Sequence, residues 1–258
     1  MGTLFIQLPC AICHLTTPER LGKDLTILVQ KPETLYSAQL IIAALNEAPG
    51  IGLTITEMKD TLGEISVLVV DGKSTDRTVE IAKNLGATVI FQEGLGKGDA
   101  IATALEHVDP NIEYVILTDA DYTYPAESVP NMIRILEENP LVGMVCGNRL
   151  SDKVDKKALH RVFHIGNRLL AFSHNLYNGL SLQDPLTGLR IVRSEVLADW
   201  KVRSKGFDLE VELNNLVKRR GFLIEEIPIG YRARLGKKKL KARHGFAILR
   251  RILLETTI

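Results

Sequence analysis

From about Gln39 onward, short aliphatic and β-branched runs alternate with stretches whose apolar positions recur at helical spacing. That alternation predicts βαβ units on a mostly parallel sheet. Strands are expected near residues 39–45, 65–70, 88–91, 114–118 and 142–146. Between them lie helix-end signals: Pro49 as a first-turn proline, Ser74 or Thr75 capping a helix that stops at Gly86, and a third helix after Gly98. A fourth helix, 127–138, is bracketed by Pro125 and Pro140, with Pro130 in its first turn. Past Gly147 the alternation breaks down: a charged loop, 151–157, leads into a long segment, 158–177, and then into 184–190. Further on, 208–219 has helical spacing, 222–227 reads as a strand, and 246–254 as an amphipathic helix with a basic face. The expected organisation is an extension at 1–38, poorly ordered, an α/β domain at 39–230, and a basic segment at 231–258.

Charge sharpens this picture at the C-terminal end. The formal net charge of +1 conceals a segregation, because no Asp or Glu occurs between Glu226 and Glu255. Arg232, Arg234, Lys237, Lys238, Lys239, Lys241, Arg243, Arg250 and Arg251 all lie in that stretch. So clean a basic block points to an anionic partner, with a solvated tail as the plain alternative. No run approaches the ~18–20 apolar residues of a membrane span. Three cysteines cannot build a disulfide framework in a chain of 258 residues, which suggests a reducing, cytoplasmic setting. Cys10-Ala-Ile-Cys13-His14 matches a short haem-attachment pattern, but the N-terminus lacks the basic start of an export signal, so neither haem nor zinc is expected there.

The candidate chemistry lies at strand ends. The 114–118 strand delivers Asp119-Ala120-Asp121 at its C-terminal end, where open α/β sheets bind ligands. Carboxylates two apart on extended chain share a face, which suits Mg²⁺ or Mn²⁺ bridging phosphate oxygens. Asp71 ends the 65–70 strand in the same manner and could accept hydrogen bonds from a base or ribose; Ser74, Thr75 and Asp76 read first as helix-start residues. Gly94-Leu-Gly96-Lys97-Gly98 supplies a turn and one cation before a helix, a place for a diphosphate, without the spacing of a P-loop. His160, His164 and His174 are spaced for packing rather than for a closed metal site, and Cys146 reads as a buried apolar residue. Arg161 and Arg168 fit either an anionic groove or a solvated helix face.

These pieces together resemble the family 2 glycosyltransferases of the GT-A fold, in particular the dolichyl- and polyprenyl-phosphate sugar synthases. The resemblance runs from about Leu40 to Leu254. It is carried by Ala44-Leu-Asn46-Glu47, Val70-Asp71-Gly-Lys-Ser-Thr-Asp76, Gly96-Lys97-Gly98, Asp119-Ala-Asp121, Gly147-Asn-Arg149, Asp184-Pro-Leu-Thr-Gly-Leu-Arg190, Gly206-Phe207, and 229–240. It implies a GT-A α/β fold with Asn46, Glu47 and Asp71 on the nucleoside, and Asp119 and Asp121 on Mg²⁺ or Mn²⁺. Arg149, Arg234 and Lys239 would engage phosphates, and Asp184 and Arg190 would lie in the substrate region. Asp121, Arg149 and Lys97 are the expected catalytic set. Two departures stand out: Gly72-Lys73 where the family has Asp-Gly, and Thr123 where a metal-binding Gln is common, so Thr123 is the expected third ligand.

A monophosphate acceptor needs no general base, since its second pKa near ~6 leaves it largely dianionic. No Gln-x-x-Arg-Trp signature of hydroxyl-acceptor polymerising enzymes occurs. The expectation is therefore inverting hexosyl transfer from a UDP- or GDP-sugar to a polyprenyl (dolichyl-type) phosphate, at the cytoplasmic face of a membrane. The basic helix would lie on that surface, with a membrane-anchoring partner or a homo-oligomer and no nucleic acid. A soluble or glycan hydroxyl acceptor, with Asp184, Asp208 or Glu210 as base, is the alternative. A non-catalytic membrane-surface subunit of the same fold is the alternative from a different class.

Overall fold

A computed structural model describes residues 36–150, 161–239 and 242–256. The Cys10, Cys13 and His14 cluster and the proposed extension lie outside the described residues, as do the 151–157 loop and His160. In chain order the elements are β1 Ala38–Ala44, α1 Ala48–Leu62, β2 Ser66–Asp71, α2 Thr78–Asn84, β3 Thr88–Phe91, α3 Lys97–Leu105 and β4 Tyr114–Asp119. A 3₁₀ turn, Ala126–Ser128, then leads into α4 Val129–Glu138, β5 Val142–Asn148, α5 Arg161–Asn178, β6 Arg190–Arg193, α6 Ser194–Leu197, α7 Leu209–Arg219, β7 Leu223–Pro228 and α8 Ala242–Glu255.

The seven strands form one sheet in the order β3-β2-β1-β4-β6-β5-β7. β1 runs parallel to both β2 and β4, and β5 parallel to β7, while β6 is antiparallel to β4 and β5. Leu40, Ile41 and Ile42 of β1, an interior strand, are all fully buried, as a strand covered on both faces requires. Alternation sends Leu40 and Ile42 into one core with Ile51, Ile55 and Met58 of α1 and Met132 and Ile133 of α4. Ile41 points into the other, with Ile101 of α3 and Leu213 and Val217 of α7. The result is helices on both faces of a mostly parallel sheet. Moving outward from β1, the chain winds first to β2 and β3 and then crosses to β4, so the C-terminal ends of β1 and β4 flank a topological switch point.

Local details show which sequence signals acted. Pro49 sits in the first turn of α1 and Pro130 in that of α4, as expected. The α2 cap differs: the helix starts at Thr78, and neither Ser74 nor Thr75 caps it. Asp76 does that work, accepting from the Thr78 amide at 3.0 Å and from the Ala48 amide of α1 at 3.2 Å. Gly96 and Gly98 do not form an open diphosphate cradle. The Gly98 amide already donates to the Lys205 carbonyl at 3.2 Å, and a β-carbon on Gly98 would lie 1.9 Å from the Ser204 carbonyl oxygen. Close approach of the 204–205 backbone is what these glycines permit.

Candidate active site

The ends of β1, β2 and β4 bring Asn46, Glu47, Asp71 and Asp119 to one edge of the sheet. Asp71 is fully buried and accepts from the Ser74 amide at 2.7 Å and its hydroxyl at 2.5 Å. Ser74 in turn accepts the Asn46 amide at 2.7 Å, and the Asn46 side chain accepts the Thr75 amide at 2.7 Å. The loop after β2 is thereby tied to the loop after β1, and Asn46 is held at φ 49°, a left-handed conformation that Asn tolerates. Ser74 and Thr75, which the sequence offered as caps, thus join Asn46 and Asp71 in one hydrogen-bonded cluster.

Glu47 sits beside it, 5% exposed, with one carboxylate oxygen accepting from both Arg234 and Lys239. Burial raises its pKa against the lowering effect of those two cations. The basic residues arrive on a strap after β7: the Arg232 amide donates to the Thr123 carbonyl at 2.9 Å and the Leu235 amide to the Asp121 carbonyl at 3.1 Å. Part of the basic C-terminal segment thus lies over the end of β4, and the expected boundary near residue 230 falls within this strap. Arg234 bridges the two carboxylates, reaching Asp121 at 3.0 Å as well as Glu47.

Asp119 and Asp121 occupy the mouth of the switch point. Lys97 stands within 2.8 Å of both Asp119 and Glu210. Burial opposes its charge, but the two carboxylates outweigh burial and raise its pKa. Asp119 is held below the ordinary carboxylate range, because Lys97 overcomes the desolvation cost. Asp121 moves the other way, raised by burial and then by the neighbouring Asp119 charge. Thr123 gives its hydroxyl proton to Asp121 at 2.6 Å and is 1% exposed, so in this structure it orients that carboxylate.

Two hard carboxylates close enough to repel suit a divalent ion whose remaining ligands come from water and phosphate. The described residues contain no group of three or more His, Cys, Asp or Glu poised to cage a metal by themselves. The space is nevertheless kept: a β-carbon on Gly188 would lie 2.5 Å from one Asp119 oxygen. Nearby, the second Glu47 carboxylate oxygen and the Arg234 Nε are buried without a hydrogen-bond partner, as polar atoms awaiting a ligand would be. Asp119 and Asp121 therefore fit Mg²⁺ or Mn²⁺.

Arg149 and Asp184 form the far wall. Arg149 donates Nε and Nη2 to the two Asp184 oxygens, both at 2.7 Å, and its amide adds a third bond at 3.0 Å. Burial disfavours the Arg149 charge, yet Asp184 holds its pKa well above the usual value. Glu226, which sequence reasoning missed, accepts from the Gln183 and Asp184 amides at 2.6 and 2.7 Å and so fixes the loop carrying Asp184. Tyr124, likewise missed, accepts the Gly188 amide at 2.6 Å. Arg190, expected in the substrate region, is placed inside the protein. It is 1% exposed, and its guanidinium is consumed by the Thr187 and Pro185 carbonyls and Asn214, at 2.9, 2.5 and 2.5 Å. Asp208 is likewise taken up structurally, pairing with Arg251 of α8 at 3.1 Å.

Comparison with known proteins identifies the family and the fold. Residues 39–200 match the model of "Glycosyl transferase family 2". The chain is 32% identical over 228 residues to a dolichyl-phosphate hexose transferase of Haloferax volcanii, covering 87% of this chain and 96% of that one. It is 35% identical over 187 residues to the glycosyltransferase AglJ of the same organism, covering 72% of this chain but only 60% of that protein's length. Among solved structures, glucosyl-3-phosphoglycerate synthase from Mycobacterium tuberculosis, in complex with Mn²⁺, UDP and glucosyl-3-phosphoglycerate, superposes with a TM-score of 0.70. That match is at 21% identity, covers 86% of this chain and 80% of the other, and establishes a shared fold. With the family model matched over more than half its length, the chain belongs to glycosyl transferase family 2.

Proposed function

We propose that this chain transfers a hexose from a UDP- or GDP-sugar to a polyprenyl phosphate, with inversion at the anomeric carbon and dependence on Mg²⁺ or Mn²⁺. The observation that carries the acceptor class is the state of the site's acids. Asp184 is paired with Arg149, Glu210 with Lys97, Glu47 with Arg234 and Lys239, and Asp208 with Arg251. Each candidate base already shares its charge with a cation, whereas proton abstraction from a hydroxyl needs an available one. An acceptor that brings its own anionic oxygen avoids this requirement.

In the proposed step a phosphate oxygen attacks the anomeric carbon as the bond to the donor's diphosphate breaks. Phosphate displaces diphosphate, and no proton moves. Asp119 and Asp121 would hold the metal ion, which supplies positive charge to the departing diphosphate. Asn46, Glu47 and Asp71 would receive the nucleoside, with Arg234 and Lys239 swinging from Glu47 to the phosphates. Lys97 and Arg149 are held rigid by their carboxylates, so their charge is already in place when negative charge develops. The printed names of the dolichyl-phosphate hexose transferase and of an undecaprenyl-phosphate mannosyltransferase from Micrococcus luteus, 28% identical over 216 residues, support the same acceptor class.

The test incubates the full chain with Mn²⁺, each of several UDP- and GDP-hexoses, and either a polyprenyl phosphate or a panel of soluble hydroxyl acceptors. Nucleoside diphosphate release with formation of lipid-linked sugar is expected. Turnover confined to hydroxyl acceptors would refute the acceptor class. Unchanged Mn²⁺-dependent donor binding in both Asp119→Asn and Asp121→Asn would refute the metal site.

A further inference from the structure

We propose that Arg232 and Glu57 form a positioning pair, a latch that fixes the turn carrying Asp121 and Thr123 together with the strap carrying Arg234 and Lys239. Two backbone bonds join strap and turn, from the Arg232 amide to the Thr123 carbonyl at 2.9 Å and from the Leu235 amide to the Asp121 carbonyl at 3.1 Å. They straddle Tyr122, a non-glycine residue in the left-handed region at φ 64°. A turn strained in this way persists only where its surroundings hold it.

Arg232 supplies the brace. Its guanidinium carbon lies 4.3 Å from the centroid of the Tyr122 ring, within cation–π range. The same guanidinium donates Nη1 and Nη2 to the two Glu57 oxygens at 2.5 and 2.8 Å, and Glu57 Oε1 also accepts the Ala126 amide at 3.1 Å. The hydrogen bonds from Arg232 hold the Glu57 carboxyl below its ordinary range, so the pair stays charged at neutral pH. Glu57 is a fixed point because α1 packs Ile51, Ile55 and Met58 into the core. The first turn of the same helix abuts the backbone between the two site carboxylates, where a β-carbon on Gly50 would lie 2.7 Å from the Ala120 carbonyl oxygen. One helix thus holds segment 120–126 at both ends and, through Arg232, the strap as well. The side chains of Arg232 and Glu57 are 34% and 25% exposed, so water screens the pair and its effect on global stability is small. Its effect is local, because Arg234 and Lys239 on the same strap reach Glu47, and Arg234 also reaches Asp121. Releasing Arg232 frees both the turn and these cations. The consequence for ligands rests on the transfer reading, whereas the latch is measurable without any ligand.

Hydrogen exchange of the full chain without ligand is compared for wild type, Arg232→Gln, Glu57→Gln and the double variant. In each single variant the amides of residue 232 and Leu235 should exchange about three- to tenfold faster, the range of an exposed ion pair with one cation–π contact, while β4 amides hold. The double variant should be no faster than either single one, as a shared interaction requires. Melting temperature should shift little, and Arg232→Lys, which keeps the charge but not the fork, should recover part of the protection. In titrations with UDP and GDP, both single variants should need about three- to tenfold more Mn²⁺ for half-saturation, with Arg232→Lys between them and wild type. Unchanged strap exchange in Arg232→Gln, or additive effects in the double variant, overturns the latch. Faster strap exchange with unchanged Mn²⁺-dependent binding overturns its positioning role. Wild-type protein that binds neither nucleotide with Mn²⁺ overturns the transfer reading and the positioning role together, and the exchange comparison alone then decides the latch.

Discussion

Replacing Asp184 by Asn tests the site wall most directly. The Asp184 side chain is 1% exposed and that of Arg149 10%, so water screens the pair little. The carboxylate accepts three hydrogen bonds, two of them from the guanidinium. Asn offers one acceptor oxygen and turns an N–H donor toward the other guanidinium N–H. Removing one partner of a buried pair costs about 3–5 kcal/mol, chiefly because the remaining charge is stranded. The Tyr231 ring, whose centroid lies 5.4 Å from the Arg149 guanidinium carbon, returns up to about 1 kcal/mol, which places the loss near the lower end. With a urea slope of roughly 2–3 kcal/mol/M, the unfolding midpoint should fall by about 1–2 M at unchanged slope. The readout is fluorescence of Trp200, the only tryptophan. Arg149→Met with Asp184→Leu should cost less than Asp184→Asn alone, since no charge is then stranded. A midpoint shift below about 0.3 M for Asp184→Asn would refute the buried clamp.

Three further outcomes follow from the same geometry. Arg190→Met should destabilise the fold by about 3 kcal/mol or more by calorimetry or urea unfolding, while the folded fraction keeps its nucleotide-sugar affinity; a selective loss of affinity would restore Arg190 as a ligand. Gly188→Ala places a methyl group 2.5 Å from an Asp119 oxygen and should weaken Mn²⁺-dependent donor binding in titration calorimetry, with unchanged binding contradicting the space assigned there. His174 is buried, with burial and then Arg190 depressing its pKa to about 4, so it stays neutral in the fold while the unfolded chain protonates near its ordinary 6.5. Its contribution is therefore intact above pH ~6.5 and is lost as pH falls toward ~4, by on the order of 3 kcal/mol in full. Urea unfolding of wild type and His174→Gln at pH 7 and pH 5 should show the wild type losing more stability on acidification; parallel losses would exclude this role.

Much of the molecule was legible from residue order alone. Strands β1, β2, β4 and β5, the first-turn prolines and the Asp119-Ala-Asp121 pair declared themselves because burial on both faces of an interior strand and the steric rules of proline are local effects. β6 did not: its four residues, Arg-Ile-Val-Arg, lack an apolar pattern, and the strand exists because it pairs antiparallel between β4 and β5. Glu226 was invisible for a similar reason, since its value lies in two backbone amides more than forty residues earlier. Ser74 and Thr75 looked like caps because a helix follows, but the β1 loop offered Asn46 as a better partner than the helix end.

The acidic pair with which the strand-end argument began was thus determined by sequence in place and type. Only tertiary structure decided what each charge does. Arg190 and Arg149 are both buried, yet one is spent inside the protein on carbonyl oxygens and the other is braced by a carboxylate at the site wall. A buried guanidinium must satisfy its donors wherever the fold puts it, and which acceptors it meets depends on contacts that no local pattern encodes. The sequence sets the inventory of charges and the sheet that collects them; the packing assigns their partners, because desolvation makes each pairing depend on the whole surrounding shell.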